Sequence, residues 1–366
     1  MKNLLSKIII LSAFIALFIS CTSHDEMAPV AANPTITSIW PLSGGYGSTV
    51  VITGTNFSTT AANNKVTING VDATVTAATA TQLSVTVPAC GGNGTVNVST
   101  GSATATGPTF TYIPDVFAVG RDGKYAMLWK NGVATALNAG PYAGEATSVF
   151  VVGGDVYVAG YEHNGNKVVA KVWKNGVPTA LTDGSKDAEA TSLYVVGNDV
   201  YVGGYDTIGN NSFVTVWKNG VAMNLGTTDA VVRSLFVVGS DLYAAGLANG
   251  IPTVWKNGNA TTLANSGYIN SIYVSGTDVY VAGTDGNRSK VWKNGVATAL
   301  TDGTKYANGN SVFLYGSDVY VGGNEDPFTI GNNPTYKTIA KVWKNGVATN
   351  LTNGSGTATV ISIVVR

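Results

Sequence analysis

Apolar residues come in short runs along most of this chain, and the runs recur. Within residues 148–181 four of them stand out, SVFVV, DVYVAG, VAKVW and VPTAL, each five or six residues long. They are rich in Val, Tyr and Trp, which fit a pleated, half-buried surface. No repeat contains a window with a 3.6-residue apolar period, so a helical repeat is excluded. Gly-Gly-Asp separates the first pair of runs and Lys-Asn-Gly the second. Asn-Gly between two apolar runs predicts a two-residue hairpin of type I′, because that turn needs positive φ at both central positions. The pattern therefore predicts a four-stranded meander.

The same unit is written six times, with its tryptophan at Trp129, Trp173, Trp217, Trp255, Trp292 and Trp343, at intervals of 44, 44, 38, 37 and 51 residues. Four strands in about forty residues is the signature of a propeller blade. The opening unit begins at DVFAVG (115–120), which corresponds to a second strand, whereas the last run, SIVVR (362–366), corresponds to a first strand. The C terminus is thus expected to supply the missing strand and close a six-bladed ring over residues 114–366, leaving no sheet edge at the seam. The tryptophans and the repeated Tyr157, Tyr201, Tyr243, Tyr280 and Tyr320 read as scaffold. A buried tryptophan of this kind contributes on the order of 2–3 kcal/mol. In VYVGG followed by Trp the units loosely resemble kelch-type repeats, though the spacing differs.

Residues 34–113 contain no WKNG. Their Thr/Val-rich runs, broken by Gly, Asn and Pro, predict a small β-sandwich. The expected core is Ile36, Ile39, Val51, Ile52, Phe57, Val66, Ile68, Leu83, Val85, Val87, Val96, Val98 and Phe110. Pro34, Ile39, Pro41, Gly44, Gly47, the ITGTNF run, Val66, Gly70, the Val87-Pro88 step and Gly94 resemble the IPT/TIG domain. That resemblance implies an immunoglobulin-like fold acting as a spacer or interaction module. The fold class is therefore all-β throughout.

At the N terminus, Lys2 and Lys7 precede an apolar stretch over 8–19. It is too short to span a bilayer, which takes about twenty residues, and suits a signal peptide over 1–20. Phe18-Ile19-Ser20-Cys21 resembles the lipobox of bacterial lipoproteins, with Phe18 where Leu is usual. The resemblance implies cleavage before Cys21 and lipidation of that residue; an ordinary secretory signal is the alternative. Residues 21–33 read as a tether, and Asp25-Glu26 resembles the surface-export signal of Bacteroidetes lipoproteins. The expected place is the cell envelope, at the outer membrane and facing outward, held by the lipid alone. Cys90 is then without an internal disulfide partner.

Lys plus Arg and Asp plus Glu each number 21, for a net charge of zero. Nucleic-acid binding, which needs a clustered basic face, is not supported. Strand direction sorts the loops onto two faces. The short turns, carrying one Lys and one Asp per blade, share a balanced face. The variable loops share the other, where binding on a rigid scaffold usually resides. There the sequence places Tyr161, Glu162, His163, Tyr205, Asp206, Arg233, Tyr268, Arg288, Tyr306 and Glu325 as ligand-binding candidates. Aromatic rings with carboxylates, amides and guanidinium groups suit sugar faces and hydroxyls. A glycan is the leading ligand class and a partner protein of the envelope the alternative. Two carboxylates, Glu145 with Glu189 or Glu325, would serve a glycoside hydrolase at the right separation. The sialidase box Ser-x-Asp-x-Gly-x-x-Trp is absent, however, and His24 and His163 are the only histidines. No catalytic residue, metal or cofactor is therefore expected.

Overall fold

The computed structural model of the chain describes residues 32–89, 92–209, 211–328 and 337–363, with backbone alone at 226–228. The expected leader, Cys21, Cys90 and 364–366 lie outside the described residues.

The first unit is a sandwich of eight strands, β1 (Thr35–Trp40), β2 (Ser43–Gly44), β3 (Thr49–Thr55), β4 (Asn64–Ile68), β5 (Val71–Ala78), β6 (Gln82–Thr86), β7 (Gly94–Thr100) and β8 (Ala103–Tyr112). Their hydrogen-bonded order is β1-β3-β6-β5-β4-β7-β8-β2. Its core holds the expected residues with two differences. In β3 the alternation buries Val50 and Ile52, so the expected Val51 faces outward and is half-buried; Ile36 is also half-buried and packs on the core from its edge. A strand places successive side chains on opposite faces, and one step decides which valine is inside.

From Phe117 onward the chain forms one three-stranded sheet and five four-stranded antiparallel sheets. The opening sheet, Phe117–Asp122, Tyr125–Lys130 and Val133–Ala136, lacks a first strand, as the repeat phase predicts. The first strands of the others are Gly144–Val152, Ala188–Val196, Ala230–Val238, Tyr268–Ser275 and Ala307–Tyr315, and each touches the next. These strands surround the axis, and the architecture is a six-bladed propeller.

Every Lys-Asn-Gly turn has the expected left-handed pair, with φ of 49–52° at Asn and 81–86° at Gly. The asparagine does more than turn. Asn175 Oδ1 accepts the Val156 N–H at 2.8 Å, and Nδ2 donates to Asp155 at 2.8 Å. Lys174 Nζ reaches Asp155 Oδ2 at 2.7 Å and lies 5.1 Å over the Tyr157 ring. The same cluster recurs in every blade, with Phe117 in place of tyrosine in the first. Trp173, Trp217, Trp255, Trp292 and Trp343 are at most 1% exposed. Each packs between blades: Trp217 lies among Tyr157, Ala170 and Leu181 of the preceding one.

Each four-stranded blade carries a one-residue bulge in its first strand, at Thr147, Thr191, Arg233, Asn270 and Asn310. A glycine stands opposite in the second strand, at Gly160, Gly204, Gly246, Gly283 and Gly323. A Cβ there would lie 1.8–2.1 Å from a first-strand carbonyl oxygen, so only glycine admits the bulge. The serine after the bulge ties blade to blade: Ser192, Ser234 and Ser271 Oγ accept the N–H groups of Leu235, Ile272 and Val312 at 3.0–3.1 Å.

The C-terminal segment continues this series. Ser311 Oγ accepts the Ile363 N–H at 3.1 Å, and Val360 sits over Gly322 as Val232 sits over Gly203. The segment thus takes the place of a first strand against the sixth blade. Among the described residues it has no ladder to Phe117–Asp122. Here Trp129 is half-buried and Leu351 is 56% exposed, against 8% for its counterparts Leu137 and Leu181.

The sandwich meets the propeller on the short-turn face. The ring of Tyr46 lies over the turn at Gly153-Gly154, where a Cβ on Gly154 would come within 2.7 Å of it. The other blades carry Asn, Ser or Thr at that position.

Candidate functional site: the axial cavity

The bulges place one side chain per blade around the axis, and these line a cavity of about 520 Å³. Thr147, Thr191, Arg233, Asn270, Asn310 and Ile361 occupy equivalent positions, with Glu189 and Val231 two residues earlier in their strands. Four of the six latch onto the following blade. Thr147 Oγ1 donates to the Ala190 carbonyl at 2.7 Å, Thr191 Oγ1 to that of Val232, Asn270 Nδ2 to that of Gly309 at 3.0 Å and Asn310 Nδ2 to that of Val360 at 2.9 Å. Arg233 breaks the series. It is exposed, and among the described residues it has no hydrogen-bond or ion-pair partner.

A second tier lies nearer the variable loops. Tyr161 donates its hydroxyl to Glu145 Oε2 at 2.9 Å, and Arg121 from the first blade approaches the same oxygen at 4.0 Å. Burial, the bond to Glu145 and the neighbouring charges push Tyr161 up to about 12. Tyr205 stands opposite Glu189 in the next blade, and burial followed by that carboxylate raises it likewise. Both phenols stay protonated across the physiological range and act as donors. Across the ring, Thr284 donates to Asn308 at 3.0 Å and Thr359 to Asn324 at 3.0 Å. Carboxylates and phenols thus occupy one side of the mouth, and amides the other. Farther along the first strands, Phe150, Tyr194, Phe236, Tyr273 and Phe313 touch in sequence with centroids 5.0–5.1 Å apart.

Of the ten residues singled out in the sequence, Arg233 lines the cavity, Tyr161 and Tyr205 stand beside Glu145 and Glu189, and Tyr268 is exposed at the start of its first strand. His163 is exposed, 6.1 Å from the Tyr161 ring. Arg288 and Tyr306 lie outward, Arg288 donating from Nε to the Asp302 carbonyl at 3.0 Å. Glu162 and Glu325, also singled out, are each paired with a lysine. Each is one residue past the position facing the axis, so it points between blades, where Glu162 pairs with Lys171 and Glu325 with Lys341. Asp206 shares that orientation, but Thr215 replaces the lysine, and burial raises its pKa. Glu325 is therefore remote from Glu145 in role, sealing a blade interface. Thr147, Thr191, Asn270 and Asn310 were not singled out. Aligning the repeats on the serine that follows each bulge puts all four, with Arg233, in one column.

Among the described residues no group of three or more His, Cys, Asp or Glu side chains converges as a metal site requires.

Residues 34–112 match the IPT/TIG domain. The TIG domain accordingly ends where the propeller's lead-in begins. No curated protein matches the chain. Among solved structures, the chain is similar to a protein of unknown function from Bacteroides thetaiotaomicron VPI-5482, at 15% identity and a TM-score of 0.49, over 91% of this chain and 89% of that one. An auxiliary nutrient binding protein from the same organism aligns at 14% identity and TM-score 0.35, over 87% and 85%. Another auxiliary nutrient binding protein, from Bacteroides ovatus ATCC 8483, aligns at 13% and 0.33, over 79% and 95%. At such identities and TM-scores none of these likenesses assigns a function.

Proposed function

We propose that the propeller is a non-catalytic binding module of the cell envelope which takes a glycan into its axial cavity. The observation that carries this reading is the cavity wall. Hydroxyl, amide, carboxylate and guanidinium groups converge on it from separate blades of a rigid ring. Sugar hydroxyls both donate and accept hydrogen bonds, and this wall offers both kinds of group in fixed places. Tyr161, Tyr205 and Tyr268 add ring faces and edges at the rim. In this reading the TIG domain is a spacer, and Cys21 carries the lipid at the outer membrane.

A protein scaffold is the second reading. The fourth strands favour it: Val177–Ala180 is exposed at every residue, and its unpaired edge could accept a strand from a partner.

A glycan array probed with the chain from Asn33 onward tests the first reading. Selective binding should fall at least tenfold on Tyr161→Ala or Tyr205→Ala, with the thermal transition retained. A silent array, or binding indifferent to both substitutions, overturns it.

A further inference from the structure

We infer that the axial cavity selects an acidic glycan, a sugar carrying a carboxylate or sulfate, and that Arg233 is the group that reads the charge. This rests on the reading of the cavity as a glycan site and narrows its ligand class.

The argument begins with the column of bulged residues. Thr147, Thr191, Asn270 and Asn310 are short, and each spends its donor on the next blade's backbone. Their role is structural, and a propeller needs nothing longer there. Arg233 gives up that latch, so no side-chain bond of this type joins the fourth blade to the fifth. What replaces it is a cation held among the walls of the cavity, with no carboxylate paired to it among the described residues. Several other cations of the propeller have carboxylates beside them: the KNG lysines their own aspartates, Lys171 and Lys341 Glu162 and Glu325, and Arg121 Glu145. A guanidinium offers a planar fork of donors that fits a carboxylate or sulfate with two parallel hydrogen bonds.

The carboxylates nearby do not preclude this. Glu145 lies between Tyr161 and Arg121, and Glu189 is opposed by the Tyr205 hydroxyl. Glu189 lines the same cavity from the adjacent blade and is placed to accept a sugar hydroxyl while Arg233 holds the anion. An anion and a hydroxyl on one ring match that pair; a neutral sugar leaves the guanidinium unused.

Arg233→Thr is the informative variant, since threonine fills this position in the second and third blades and restores a latch. The chain from Asn33 onward, wild type and R233T, is titrated calorimetrically with trigalacturonate, its fully methyl-esterified form and a sulfated galactan trisaccharide. The expected result is binding of at least one acidic trisaccharide, tenfold or more above the ester, lost in R233T and weakened by added salt. Galacturonate alone identifies the carboxylate, and the sulfated sugar alone the sulfate. If acid and ester bind equally and R233T changes neither, charge selection falls while the glycan reading stands. If no trisaccharide binds but neutral array glycans do, the inference falls in the same way. If nothing binds in either assay, both fall.

Discussion

The asparagine of each Asn-Gly turn shows how much one side chain does here. It adopts a left-handed φ, accepts the N–H of the residue after the second strand's opening aspartate and orients that aspartate, which pairs with the lysine before the turn. Substituting Asn219 separates these roles. Asn219→Gly keeps the backbone freedom and loses two hydrogen bonds; Asn219→Ala loses both. Urea denaturation should show a loss of about 1–2 kcal/mol for glycine and roughly 1 kcal/mol more for alanine, the added cost of a Cβ in the left-handed region. The turn was legible because Asn-Gly is a local signal. The cluster around it was not: that Lys218 sits over the Tyr201 ring, 5.1 Å from its centroid, depends on strands whose register the sequence does not print. At the cavity the same limit applies. Tyr161 and Tyr205 stood out as aromatics that do not repeat. Thr147 and Asn270 looked like ordinary strand residues, and what places them on the axis is a bulge made possible by glycines one strand away.

Elements were read with more success than residues, because hydrophobic period and turn chemistry repeat six times and agree. Short strands, tight hairpins and the missing first strand of the opening sheet all follow from the spacing. The C-terminal segment follows less completely. Its apolar run matches a first strand, and Asn310, Ser311 and Gly322 hold it as such, yet no ladder joins it to the first blade among the described residues. Deleting 359–366 tests what the segment contributes. The loss of two side-chain latches and of Val360 and Ile363 packing should lower the melting temperature by roughly 5–15 °C. An unchanged transition would show the seam to be dispensable. Glu162 and Glu325 show what alternation adds, since a carboxylate one step from the axis pairs with a lysine on the next strand of its own blade.

At the scale of the molecule, the six Asp–Lys–Asn clusters act in parallel. Asp115, Asp155, Asp199, Asp241, Asp278 and Asp318 are all held below the ordinary 3.8, first by the lysine and then by the asparagine. A carboxylate with a lowered pKa in the folded state adds stability above its ordinary value and loses it as pH falls through the folded one. Thermal melts should therefore change little between pH 7 and about 5 and drop steadily below about 4. Added salt should shrink the effect, since the clusters are exposed and screened. A flat profile down to pH 2.5 would show the clusters to be neutral for folding.

The packing of Tyr46 on the Gly153-Gly154 turn has a further consequence. It seats the TIG domain beneath the disc, where the chain also enters at Asp115, so the open end of the axial well points the other way. On the proposal that Cys21 carries a lipid, the molecule stands like an open cup on a stem. Anything drifting in from the medium reaches the well without first passing the stem.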